Sequence, residues 1–419
     1  MSCYQKNFID WLIYFKFDKK IIMKYFYLSI SCFIISLNLA CAQQENPPNI
    51  ELSDESDYYI EKIVDGIDIP WGMTFINNNE FLVSDRDGLL YHVKNGEKTA
   101  VKGLPEIHYN GQGGLLDLAI DNNFDNNNFL YFTASVRGGG DEGSNTALYR
   151  ANYSNYNLTG LKLLYKASPN SNKGQHYGSK ILIDSNHIYF SIGERGNRDV
   201  NPQDITRDGG KIYRINLDGS IPSDNPFSDI KNAKKAIWSY GHRNPQGMIF
   251  GPRGNRIWIN EHGPRGGDEI NIIEKFEKGE DSLKNPIETR NYGWPLASYG
   301  VNYSGTKFTD YTSLDGTVQP IYYWTPSIAP SGFVMLKSNI YPQWKGSLFV
   351  GSLSFEYLER LQLEGEKVIK REKILDSIGR VRNIIEGPDG YLYISVEKKG
   401  IFKIIPSNKS SSTPEKNNE

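Results

Sequence analysis

"MTFINNNEFLVSDRDGLLYHV" (Met73–Val93) reads as a strand, an Asn-rich turn, a second strand, an Asp-Gly turn and a third strand. Apolar and polar residues alternate on either side of turn residues that tolerate positive φ, which is the short-range pattern of β-hairpins. "RNIIEGPDGYLYISVEKKGIFKII" (Arg382–Ile405) repeats the plan closely. "ILIDSNHIYFSIGERG" with "GGKIYRINLDG" repeats it with an insertion, and "GMIFGPRGNRIWINEHG", "LDLAIDNNFDNNNFLYFTASV" and "FVMLKSNIYPQWKGSLFVGSLSFEYLERLQL" are further copies. Units of a few strands recurring every several tens of residues predict a β-propeller. About six can be counted. No segment fits a long amphipathic helix, and only a helical turn near Asp229–Ala236 is expected. Blades packed in a ring bring their loops together at one end of the central channel, where scattered polar motifs can meet.

The rest of the chain is consistent with one exported domain. Its 419 residues include 40 Gly and 27 Tyr, with 38% hydrophobic and 23% charged residues, as expected of a soluble strand-rich protein. A formal net charge of −2 gives no basic footprint for nucleic acid. Residues 1–22 read as an upstream extension. Residues 23–42, with Lys24, a short apolar run and small residues at Ala40 and Ala42, read as a signal peptide cut after Ala42. Cys41 in "LAC" partly matches a lipoprotein cleavage site, so a lipid anchor there is the alternative and the one membrane attachment foreseen; the location is periplasmic either way. Cys3, Cys32 and Cys41 all precede the domain, which therefore has neither disulfide nor cysteine ligand. Residues 43–57 read as a linker, 58–405 as the propeller and 406–419 as a disordered tail.

Several motifs carry polar chemistry. In "NGQGGLLD", Gln112 sits among glycines that permit close backbone approach; taken alone, this is a loop leading into a strand. "GQHYGSK" holds His176, one of six histidines, a candidate general base where a lone histidine is more often structural. In "YGHRNPQGMIFGP", Pro245 pushes Asn244 out of helical geometry, and a tight turn can aim Arg243 and Asn244 into one cavity. A buried ion pair within that turn is the equally plain alternative for Arg243. "NEHGPRGGDEINII" combines turn carbonyls at Gly263 and Pro264 with carboxylates at Asp268 and Glu269, oxygen donors that suit Ca²⁺ but match no EF-hand. "NYGWP" and "VNYSG" add aromatic surface. In "GRVRNII", Arg380 and Arg382 share one strand face and repel unless an anion or an acid lies between them.

Taken in order, "GQGGLLD", "GQHYGSK", "GHRNPQGM", "EHGPRGGDEIN", "NYGWP" and "GRVRNIIEGPDGYLY" resemble the soluble pyrroloquinoline quinone (PQQ)-dependent aldose sugar dehydrogenases of the glucose/sorbosone dehydrogenase family, from about Ile67 to Ile405. The resemblance implies an all-β, six-bladed propeller with the cofactor site at one face of the channel. It implies His176 as general base for the sugar's anomeric hydroxyl and hydride transfer to the quinone, giving a lactone. Arg243 would polarise the quinone carbonyl. Gln112 and Asn244 would hold the cofactor's polar edge, Tyr303 would lie against its plane, and Arg380 and Arg382 would pair with its carboxylates. The carbonyls of Gly263 and Pro264 would bind a Ca²⁺ bridging to PQQ, and Glu269 with the Tyr292 region a structural Ca²⁺. Ser354 stands where the family often has a lysine; it can form a hydrogen bond but supplies no cation. Gln175 precedes His176 where some relatives carry an acid, so a backbone carbonyl or water is expected to orient the imidazole. Such an enzyme needs an aldose substrate and an external electron acceptor. The competing readings are a Ca²⁺-dependent propeller lactonase built on Asp268 and Glu269, and a non-catalytic propeller that binds glycan or protein.

Overall fold

Six sheets, antiparallel but for one edge strand, account for nearly all regular structure. The computed structural model describes residues 48–52, 57–138, 140, 142–275 and 286–407. The expected signal peptide, Cys41, the expected extension before them and the tail beyond Ser407 lie outside the described residues. Each sheet is one blade, and its inner strand follows a loop at one common face of the ring. These inner strands are Pro70–Asn77, Leu115–Ile120, Ile181–Ile183, Pro245–Phe250, Pro330–Met335 and Val381–Glu386 for blades 1 to 6. Each packs on the next, and the sixth returns to the first.

The ring is closed by both ends of the domain. Tyr58–Val64 pairs antiparallel with Gly400–Pro406, in register Tyr58 to Pro406, and completes blade 6. Residues 50–52, expected in the linker, instead form a short strand parallel to Lys367–Ile374 at the edge of blade 5. Ile50 is half-buried there against the blade 4–5 core, which explains the pairing. The turn expected to be helical near Asp229–Ala236 is a run of non-helical turns. Among the described residues no helix is long and apolar enough to cross a membrane.

Two devices make the ring cooperative. One apolar cluster fills each blade interface: around Leu82 and Phe132 for blades 1 and 2, Tyr131 and Phe190 for 2 and 3, and Tyr189 and Ile257 for 3 and 4. Trp258 and Phe333, Phe349 and Ile394, and Val83 and Tyr393 mark the other three. A blade cannot bury both faces alone, and these six interfaces do it for all. Nearer the axis, a ring of buried hydrogen bonds passes from blade to blade. The donors are Ser84 to Leu116 O, Thr133 to Ser179 O (2.8 Å), Ser191 to Pro245 O (3.3 Å) and Asn260 to Ser331 O (3.0 Å). Ser331 to Val381 O and Ser395 to Pro70 O (2.7 Å) close the circle. Each contributes about 0.5–1.5 kcal/mol net. Their larger effect is to fix the height of one inner strand against the next, and with it the loops that precede them.

Candidate active site

A positional rule organises these loops. At or within two residues of the end of the second strand, four blades carry an acid whose carboxylate turns back to residues before or at the start of the inner strand of the same blade. Asp85 accepts the amides of Asp68 (2.9 Å) and Ile69 (3.0 Å). Glu194 meets the His176 imidazole at Nδ1. Glu261 accepts from the Arg243 amide (2.6 Å) and His242 Nδ1 (2.8 Å). Glu397 meets both Arg380 Nε (2.6 Å) and Arg382 Nε (2.9 Å).

His176 is 7% exposed, and its backbone lies at φ 56°, a strained conformation for a residue with a Cβ. The strain is held by its amide, which donates to Gln112 Oε1 at 2.8 Å, and by close packing of the loop on Gly193, where a Cβ would sit 2.3 Å from His176 O. Gln112 thus positions the imidazole from an exposed site of its own. Glu194 is 2% exposed and replaces the expected carbonyl or water as the orienting partner. With Nδ1–H donated to that carboxylate, Nε2 is left as the proton acceptor. Burial pushes the His176 pKa below the ordinary imidazole value; the Glu194 hydrogen bond opposes this, and the nearby Arg243 charge adds to it. The lowered pKa favours the neutral form of the imidazole.

Arg243 is 5% exposed. Its Nη1 donates to His262 O (3.1 Å) and Gly263 O (2.7 Å), its Nη2 approaches the Tyr303 hydroxyl (3.4 Å), and its head lies 5.4 Å from the Trp294 ring. Among the described residues these contacts include no carboxylate at the guanidinium, so the buried ion pair considered from sequence is not what holds it. Tyr303 is 73% exposed and forms the outer wall. His262 reports the convergence: burial pushes its pKa down to about 3, and the charges of Arg243 and Arg382, with His176, push the same way. Those three groups therefore lie near His262.

The paired arginines differ from each other. They share a face as predicted, but the acid between them is Glu397. Arg382 is buried with its guanidinium 4.3 Å from the Trp71 ring, whereas the Arg380 side chain is 45% exposed and also donates to Leu353 O (2.8 Å). Two guanidinium groups against one carboxylate leave net positive charge on this rim. Ser354, next to Leu353, is exposed beside it. Asn244 is buried, and its Oδ1 accepts from the Gly178 amide (3.1 Å), which ties blade 4 to the His176 loop.

The oxygen donors are rearranged relative to expectation. Gly263 O is engaged by Arg243, and a cation on the same oxygen would oppose a guanidinium. Asp268 accepts from the Gly263 amide (2.7 Å), Ser327 Oγ (2.7 Å) and the Ala329 amide (2.9 Å); it shapes the Gly263–Pro264 loop and has little left for a metal. Glu269 stands directly across from Glu261 on paired strands, with Asn271 Nδ2 bonded to both at 3.0 Å. Burial and the Glu261 charge raise the Glu269 pKa to about 8. Tyr292 stacks on His242 at 4.6 Å and gives its hydroxyl to Ile272 O (2.7 Å). Among the described residues no three or more His, Cys, Asp or Glu side chains gather as a metal site.

The family model for glucose/sorbosone dehydrogenase matches residues 67–278 and 274–403. The chain belongs to that family. Aldose sugar dehydrogenase YliI of Escherichia coli is 35% identical over 359 residues, covering 83% of this chain and 93% of that one. The structure of the soluble E. coli aldose sugar dehydrogenase, in its apo form, superposes with a TM-score of 0.77 at 35% identity over 84% of this chain and 100% of that one. Quinoprotein glucose dehydrogenase B of Acinetobacter calcoaceticus is 25% identical over 83% of this chain and 87% of its own. The PQQ-bound aldose sugar dehydrogenase of Streptomyces coelicolor shares the fold, with a TM-score of 0.65 at 23% identity over 85% of this chain and 100% of its own. The protein is thus an oxidoreductase of the aldose dehydrogenase type on a six-bladed propeller.

For a glucose/sorbosone dehydrogenase, the residues that sequence reasoning missed are those that orient others. Glu194 and Glu261 are the clearest. Behind Glu194 stands a longer chain of support. Lys211, fully buried, donates through Nζ to the carbonyls of Asn201 and Gly209, and Asn201 Nδ2 donates to Glu194 O at 3.1 Å. Burial lowers the Lys211 pKa to about 7 against the pull of Asp208 and Asp204.

Proposed function

We propose that this protein oxidises aldose sugars at the anomeric carbon to lactones with PQQ as cofactor, His176 as general base and an external electron acceptor. The observation that carries the reading is the His176 imidazole, fixed by buried Glu194, with the Arg243 charge close enough to favour its neutral form. PQQ is flat and carries three carboxylates, and the mouth offers matching charge: an Arg243 head bonded, among the described residues, only to carbonyl and hydroxyl oxygens, and an arginine pair half-neutralised by Glu397. Arg380 and Arg382 would hold its carboxylates, Gln112 and Tyr303 its edge and face, and Arg243 the carbonyl that gains charge. When bound, PQQ supplies a quinone that accepts the hydride from C1 of the sugar. His176 Nε2 takes the hydroxyl proton as the C1–O bond becomes a carbonyl, and Glu194 stabilises the imidazolium so formed.

Calcium, in this reading, binds at Glu269 with carbonyl oxygens near Tyr292, because among the described residues the Glu269 carboxylate accepts from Asn271 Nδ2 alone, whereas Glu261 is engaged by Arg243, His242 and Asn271. A bridging ion at Gly263 and Pro264 requires Arg243 to release Gly263 O. A lactonase is disfavoured because Asp268 is already saturated by loop donors. A purely binding role gives no reason to bury a carboxylate behind His176. The test is an absorbance titration of the purified protein with PQQ and Ca²⁺, followed by dye reduction with a panel of aldoses. Bound cofactor with no turnover on any sugar overturns the proposal.

A further inference from the structure

One turn of blade 3, residues 193–196, grips the loop that carries His176 at every one of its positions. Gly193 has no Cβ to obstruct the His176 carbonyl, and the Glu194 carboxylate meets the imidazole. The Arg195 amide donates to His176 O at 3.3 Å, and Gly196 O accepts from Lys173 Nζ. The Arg195 backbone lies at φ 57°, in the same left-handed region as His176 at 56°, so two strained residues meet at this contact. Such conformations persist only where the surrounding contacts over-determine them.

The Arg195 side chain supplies those contacts. It is fully buried, and among the described residues no carboxylate is a hydrogen-bond partner of its guanidinium. Nη1 donates to Gln175 O, and Nη2 to Lys173 O (3.0 Å) and Ser144 O (3.3 Å), while the head lies 3.3 Å from the centre of the Tyr177 ring. Ser171 Oγ donates back to Arg195 O at 3.0 Å. One planar fork thus satisfies three carbonyls and stacks its face on an aromatic ring; an ammonium offers neither plane nor stack. The charge matters as much as the fork. Around the imidazole stand Glu194 and Arg195 from this turn, Arg243 from the entry to blade 4, and His262 beyond it. Burial lowers the Arg195 pKa against the pull of Tyr177 and Glu194, yet a guanidinium starts so high that it keeps its proton. A buried cation bonded to neutral groups is poorly screened, and it works against the Glu194 charge at the imidazole.

We infer that Arg195 is a positioning residue for the oxidation: its guanidinium locks the 173–176 loop in the conformation that aims His176, and its charge offsets that of Glu194, so that the carboxylate orients the imidazole without keeping it protonated. The inference rests on the reading of His176 as the general base. It goes further by naming the group that lets a buried carboxylate and a free base coexist.

The experiment reads the imidazole directly and turnover beside it. In the full chain without cofactor, carrying ¹³C at histidine Cε1, the His176 resonance is the one absent from His176→Asn, and it is titrated by NMR from pH 4 to 9. In the wild type its midpoint should fall below that of an ordinary histidine, as burial dictates. Arg195→Gln keeps a polar head without the charge and should raise the midpoint by about one pH unit. Arg195→Lys keeps the charge without the fork and should leave the midpoint near the wild-type value. With PQQ and Ca²⁺ supplied, the acid limb of dye-coupled turnover should move up in Arg195→Gln by the same amount, and Arg195→Lys should lose about tenfold in kcat because the base is misplaced. An Arg195→Gln midpoint that stays or falls, or wild-type kcat in Arg195→Lys, overturns the inference. Where Arg195→Gln does not fold, Arg195→Lys decides alone, and a midpoint raised by about one pH unit or an unchanged kcat overturns it. A wild type that oxidises no sugar, with the Arg195→Gln midpoint raised in the cofactor-free protein, would instead overturn the reading of His176 as the base and leave its coupling to Arg195 standing.

Discussion

Replacing Glu194 by Gln isolates the orienting role from everything else at the site. The carboxylate is 2% exposed, its Oε1 meets His176 Nδ1, and its Oε2 is buried without a hydrogen-bond partner among the described residues. Hydrogen bonds to charged groups contribute about 1.5–3 kcal/mol, and this one strengthens as the imidazole gains its proton. At 1.36 kcal/mol per tenfold, Glu194→Gln should lower kcat by about 10- to 100-fold. The pH profile should move as well. Activity needs unprotonated His176, so the acid limb marks its pKa, already below the ordinary value. Glu194 raises that pKa; without its charge the neutral form is favoured further, and the limb moves to lower pH. Stability should hold or rise, since a buried carboxylate with an unpaired oxygen is removed. The assay is dye-coupled turnover from pH 4 to 9 on PQQ-loaded protein, with the cofactor dissociation constant measured alongside. A kcat within threefold of wild type and an unmoved acid limb would refute the orienting role.

His176→Ala should lower kcat by about 10²- to 10⁴-fold with PQQ affinity nearly unchanged, read from turnover and absorbance titration. Lys211→Met should leave the carbonyls of Asn201 and Gly209 without their donor at a cost of about 1–3 kcal/mol, seen as a lower Tm, and should also reduce kcat by loosening the loop that carries Glu194. For calcium, saturation at 100-fold over Kd stabilises by about 2.7 kcal/mol. Chelation should lower the wild-type Tm accordingly, whereas Glu269→Gln should remove the calcium-dependent rise and leave a protein that no longer responds to chelator.

The fold was legible because a propeller writes its repeat into turn residues and alternation, which act over a few positions. Asp87-Gly88 and Asp389-Gly390 each close a hairpin with glycine at positive φ, and neither depends on any distant residue. What lay outside that local grammar was missed: residues 50–52 pair with blade 5 only because Ile50 finds a half-buried place there, which no window of neighbouring residues reveals. The site divides the same way. His176, Arg243 and Arg382 could be picked out as unusual residue types in turns, but what holds them is long-range. The partner of His176 is 18 positions away, that of the Arg243 amide also 18, and that of Arg382 is 15. Yet a signal for all three partners was present. "SDRDG", "GERG", "NEHG" and "VEKKG" each place an acid, then a basic residue, then a glycine at the end of a blade's second strand. One copy is a solvated turn; four copies at equivalent places in a repeat fold are a structural position. Blade geometry puts that position beside the start of the inner strand, so the same acid serves backbone amides in blade 1, an imidazole in blade 3 and two guanidinium groups in blade 6. The His176–Glu194 pair is then one use of a contact that the fold repeats around the ring. Blade 3 differs in putting the His176 imidazole, rather than a main-chain amide, in front of that carboxylate.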